Sequence, residues 1–102
     1  MATHRLVRVA NFTIIGDYAL HIRFDDETEQ VIDFEPVLYG PVFGPLRDPA
    51  LFKGVRLVNY AGCLEWPNGA DFDPETLHDW PLVKDEIIRR RQAAWLEVGV
   101  AH

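Results

Sequence analysis

The chain contains no serine, and only one cysteine and one methionine among its 102 residues. Without serine, a Ser–His–Asp nucleophile is excluded. With Cys63 alone, neither an intramolecular disulfide nor a thiolate cluster for zinc can form. No apolar run approaches the roughly 20 residues that span a bilayer. The N-terminal MATHRLVRVANF lacks the apolar core of a signal peptide, so the cytoplasm is the expected compartment. Phosphate-cradling loops are missing as well: Lys53-Gly54 belongs to no G-x-x-x-x-G-K-[ST] pattern, and no G-x-G-x-x-G occurs. Basic residues are few, ten against sixteen acidic ones, for a formal charge of −6.

What is present is acidic, apolar and ordered. The chain is 48% hydrophobic and 25% charged, a globular mixture long enough for one domain with its own core. Asp25, Asp26, Glu27, Glu29, Asp33 and Glu35 form one acidic run, and Glu65, Asp71, Asp73, Glu75 and Asp79 form another. Such a surface repels phosphate backbones, which argues against nucleic-acid binding by the main body and suits a basic protein partner.

Tyr18, Leu20, Ile22 and Phe24 alternate with Ala19, His21 and Arg23, the period of a half-buried strand. Residues 18–34 therefore predict a β-hairpin around the polar DDETE, preceded by a strand over Leu6–Ala10. A second hairpin is expected from Val55–Asn59 and Cys63–Trp66. Three segments place an acid before a proline: Glu35-Pro36, Asp48-Pro49 and Asp73-Pro74. Proline suits the first helical position and a preceding Asp caps the free N–H groups, so three short helices are expected. Gly40 and Gly54 are read as their left-handed stops. Pro67-Asn68-Gly69 predicts a turn across which Trp66 and Phe72 pack. Leu82–Val98 predicts an amphipathic helix, with Asp85–Arg89 and Glu86–Arg90 as i,i+4 pairs.

The stretch WPNGADFDPETLHDW, residues 66–80, gathers the chemistry-bearing side chains. It is no EF-hand: the required sixth-position glycine is Thr76 and the twelfth-position glutamate is Leu82. Glu75-x-x-His78 has the spacing of di-iron helices, but no second such pair exists among His4, His21 and His102. A Cys63–His78 nucleophile pair stays open on sequence alone. Arg89-Arg90-Arg91 spreads around a helix instead of forming one basic stripe.

Three segments, FDDETEQVIDFEPVL, GPVFGPLRDPALFKGVRL and LEWPNGADFDPETLH, resemble the bacterial family known as domain of unknown function 2442. The most distinctive part is W-P-N-G-A-D-x-D-P-x-x-L, met at Trp66, Pro67, Asn68, Gly69, Ala70, Asp71, Asp73, Pro74 and Leu77. That family is similar to the N-terminal domain of a Nitrosomonas protein of known structure, which implies a compact α+β domain. Relatives fused to helix-turn-helix domains, or encoded beside a second small protein, imply a toxin–antitoxin-like or regulatory setting. The resemblance implies no catalytic residue.

The expected architecture is α+β, a small mainly antiparallel sheet of four to six strands with short helices on one face. Residues 1–80 form the domain, and 81–102 a helix that docks on it or on a second copy. The expected function is a non-catalytic protein-interaction module with a basic protein partner or self-association through that helix, and no membrane contact. A small-molecule or metal-binding protein using residues 71–78, an enzyme among the possibilities, is the alternative. No cofactor, metal ligand or catalytic residue is assigned. Trp66, Asn68, Asp71, Asp73, Glu75 and His78 are the candidate interaction or ligand surface, and Ile87, Ile88, Arg91 and Trp95 the candidate partner helix.

Overall fold

The computed structural model describes residues 7–100, with side chains as far as residue 93. The expected single sheet is instead two, each antiparallel and three-stranded. The first orders β1 (Val9–Ile14), β2 (Ala19–Phe24) and β3 (Glu29–Asp33); the second orders β4 (Arg56–Val58), β5 (Cys63–Glu65) and β6 (Asp71–Phe72). The strands of the second sheet are only two or three residues long, and helical turns separate β3 from β4. The class is α+β.

The β2–β3 hairpin forms as its alternation predicts, with Leu20, Ile22, Phe24 and Ile32 buried and Leu20 opposite Ile32. Its acidic loop holds Glu27 at a φ of 71°, unusual for a residue with a Cβ. The Asp26 carboxylate supports that turn by accepting the Thr28 N–H and hydroxyl. β1 lies further along the chain than Leu6–Ala10. Its bounds follow its partner, with Ile14 opposite Leu20 and Phe12 opposite Ile22, and the register shifts between Val9 and Asn11.

Two acid–proline starts behave as expected. Asp48 accepts the Ala50 N–H at 3.0 Å ahead of α2 (Pro49–Phe52), and Asp73 accepts the Thr76 N–H at 3.1 Å ahead of α3 (Pro74–His78). Glu35 does not cap. It opens a 3₁₀ turn, Glu35–Val37, and Asp33 accepts its N–H at 3.0 Å. Two unexpected turns lie between, α1 (Gly40–Phe43) and a 3₁₀ turn at Gly44–Arg47. Gly40 has the positive φ expected, 90°, but it opens α1. Gly54 has no positive φ; a Cβ there would meet Pro67 Cγ at 2.6 Å, so close approach of the 67–69 turn explains it.

One hydrophobic core joins both sheets. Phe34, fully buried, has ring centroids of Phe72 at 5.4 Å, Trp80 at 5.6 Å, and Phe52 and Trp66 both at 5.8 Å. The last helix, α4, spans Trp80–Val100, so it starts before Leu82 with Pro81 in its first turn, where a missing N–H goes unnoticed. Ile87 and Ile88 pack against the core.

The β4–β5 turn carries a testable constraint. Gly62 has a φ of 70° and accepts the Val9 N–H at 2.9 Å, and a Cβ on it would meet Arg8 Cβ at 2.7 Å and Cα at 3.1 Å. Gly62→Ala combines strain with a backbone clash, so an expected loss of roughly 2–3 kcal/mol should appear in chemical denaturation.

Candidate functional site

The 66–80 stretch divides into framework and surface. Trp66 is 1% exposed and donates its indole N–H to the Phe52 carbonyl at 3.0 Å, so it shares no surface with the carboxylates that follow. The turn after it closes through the Gly69 N–H to the Trp66 carbonyl, with Gly69 at a φ of 91°. Asn68 stays out of the left-handed region. It accepts the Ala70 N–H and donates to the Val42 carbonyl at 2.8 Å, tying the turn to α1. Asp73 is committed to α3, accepting both the N–H and the hydroxyl of Thr76. Asp71 and Glu75 are exposed, and their carboxylates make no hydrogen bond or ion pair with the described residues.

Asp71 and Asp73 share a cleft of about 490 Å³ with Arg91 and Ile87 from α4, lined also by Cys63, Phe72 and Thr76. The fold thus brings together members of two sets that sequence kept apart, Asp71 and Asp73 of the first and Ile87 and Arg91 of the second. Arg91 is half-buried with its guanidinium 3.9 Å from the Phe43 ring centroid and 5.8 Å from that of Phe72. Burial lowers its pKa from the ordinary arginine value. Burial, followed by the charges of Asp71, Glu65 and Asp73, pushes the Cys63 thiol up, the reverse of what a nucleophile needs. Ile87, Ile88 and Arg91 face their own domain. The Trp95 side chain lies outside the described residues.

His78 is occupied elsewhere, which removes the Cys63–His78 pairing. Its Nε2 lies 2.8 Å from Asp26 Oδ2 and its Nδ1 lies 3.2 Å from Asp79 Oδ1. Its backbone carbonyl accepts from Gln30 at 2.8 Å, and its ring meets Phe24 edge-on at 5.1 Å. Burial disfavours the charged ring, but the hydrogen bonds to Asp79 and Asp26 outweigh it and raise the pKa above 6.5. Asp26 falls from 3.8 to about 2, chiefly through the Thr28 hydroxyl and N–H, with His78 contributing. Stability from His78 is therefore complete below pH 6.5 and fades as pH rises through its raised value. Stability from Asp26 is present above pH 3.8 and fades as pH falls toward 2. Thermal melts should show wild type losing its advantage over His78→Gln as pH rises from below 6.5 into the alkaline range. A pH-independent difference would remove the ion pair from the account.

Among the described residues, no three His, Cys, Asp or Glu side chains are placed to hold one metal ion. No described helix is long and apolar enough to cross a membrane.

Residues 9–80 match the family described as "Protein of unknown function (DUF2442)". The chain belongs to that family. No curated protein and no solved structure matches it. The DUF2442 match ends at Trp80, where α4 begins, so Ile87 and Arg91 of the cleft come from beyond the matched residues. Sequence reasoning passed over Cys63 as a lining residue and placed Arg91 on a partner helix. One signal was available for Arg91: Arg89 and Arg90 have an acid four positions earlier, whereas Arg91 has Ile87 and so lies on the apolar face.

Proposed function

We propose that this DUF2442 chain is a non-catalytic protein-interaction module of the cytoplasm, antitoxin-like or regulatory, whose partner is a basic protein. The observation that carries the reading is the contact of His78 with Asp26. It ties the 25–29 loop to α3 across 52 positions of sequence, so the two acidic runs meet in space. Asp25 and Glu27 beside Asp26, and Glu75 and Asp79 beside His78, are exposed, while Glu29 is ion-paired with Arg23 at 3.3 Å. A predominantly acidic field steers an oppositely charged partner and disfavours nucleic acid. Against catalysis stand the raised pKa of the Cys63 thiol and the His78 nitrogens already turned to carboxylates.

The test is co-expression with the neighbouring gene products and a pull-down on this chain, followed by titration of any purified pair. The reading expects a complex whose affinity falls as salt rises, because rim charges act mainly through screened attraction. Absence of a complex, or one indifferent to salt, would contradict it.

A further inference from the structure

We propose that the cleft between β5–β6 and α4 binds a ligand with a carboxylate at one end and a cationic group at the other. A basic α-amino acid, free or as the last residue of a peptide, has that chemistry. Its space, about 490 Å³, lies in the range of small-molecule sites.

The charges lining it are unspent. The Arg91 guanidinium, with five donors, makes no hydrogen bond or ion pair with the described residues. Its Cζ lies 3.9 Å over the Phe43 ring centroid, and a guanidinium anchored there can offer its N–H groups to a planar, bidentate acceptor. A half-buried cation without an anion is costly, and a ligand carboxylate would relieve that cost. The Asp71 carboxylate, on the β6 side, also has no partner among the described residues, and Asp73 keeps acceptor capacity beyond its bonds to Thr76. Neither carboxylate forms an ion pair with Arg91, though all three line one cleft. Opposite charges held apart in this way leave a gap for a ligand whose two ends match them. Phe72 and Ile87 give an aliphatic linker an apolar surface between the ends. Two carboxylates against one guanidinium favour a ligand of net positive charge, which selects a basic amino acid over a neutral one. None of the charged residues lining the cleft is among those named for the acidic surface above.

The experiment is calorimetric titration of the full chain with L-arginine, the tripeptide Gly-Gly-Arg and the same tripeptide as its C-terminal amide. Saturable binding of L-arginine or the tripeptide acid at roughly millimolar affinity or tighter is expected. The amide should bind at least about tenfold more weakly, as should Arg91→Gln with either acid, because each removes a charge-assisted pair. Asp71→Asn, at an exposed side chain without a partner, should retain the fold and weaken binding severalfold. Binding of L-arginine alone identifies a free amino acid, and equal or tighter binding of the tripeptide identifies a chain terminus; both support the site. No saturation by roughly 20 mM ligand overturns it. So does equal binding of acid and amide, or indifference to Asp71→Asn, and these two outcomes hold even if Arg91→Gln fails to fold. Glu27→Lys should leave this binding unchanged while weakening a basic protein partner, which separates the two proposals.

Discussion

Trp66→Ala is expected to remove the cooperative unfolding transition or to shift its urea midpoint by more than about 1.5 M. The side chain is 1% exposed and packs against Phe52 at 5.5 Å, Phe34 at 5.8 Å and Phe72 at 6.1 Å between ring centroids. Deleting a buried aromatic of this kind costs about 3–5 kcal/mol, against a total of roughly 5–15 kcal/mol for a typical domain. The loss is compounded because the Phe52 carbonyl gives up its indole donor. Trp66→Phe separates the two parts. It retains most of the packing and should cost about 1–2 kcal/mol for the missing hydrogen bond. A Trp66→Ala chain that melts like the wild type would mean that the aromatic cluster does not hold the two sheets together.

Termination after Trp80 is the second large effect. The shortened chain keeps the residues matched by the family but loses Ile87, Ile88 and Arg91. Phe43 and Phe72 are then left without the guanidinium above them. Removing two half-buried isoleucines and a cation–π contact amounts to roughly 3 kcal/mol, or a melting temperature lower by about 10 °C or more. Circular dichroism with thermal melting reads both the retained sheet and the shift. An unchanged melting temperature would show that α4 contributes nothing to the core.

What sequence revealed and what it withheld follow from the range of the forces involved. The β2–β3 hairpin was legible because Leu20, Ile22 and Phe24 alternate with polar residues around a polar turn, a purely local signal. The Asp48 and Asp73 caps were legible for the same reason, since the acceptor lies two or three residues from its donor. Distant partners were not. The role of Gly54 depends on Pro67, β1 takes its bounds from β2, and the division into two sheets depends on how the 35–54 turns fold back. The candidate site follows the same rule. Asp71 could be singled out early because no local structural duty accounts for it, and it has no partner among the described residues. That Arg91 stands in the same cleft is a tertiary fact. So is the joining of Asp26 to His78, without which the two acidic runs would be separate patches.

The most direct test of that joined surface is the affinity of a basic protein recovered by pull-down with this chain for wild type and for the double variant Glu27→Lys/Glu75→Lys, at low and moderate salt. Both side chains are exposed, so the fold should survive the exchange. The account predicts that reversing one charge on each side of the His78–Asp26 contact weakens the complex about tenfold or more at low salt, and that the difference shrinks as salt screens it. Equal affinities for wild type and variant at low salt would contradict the acidic surface as the binding face.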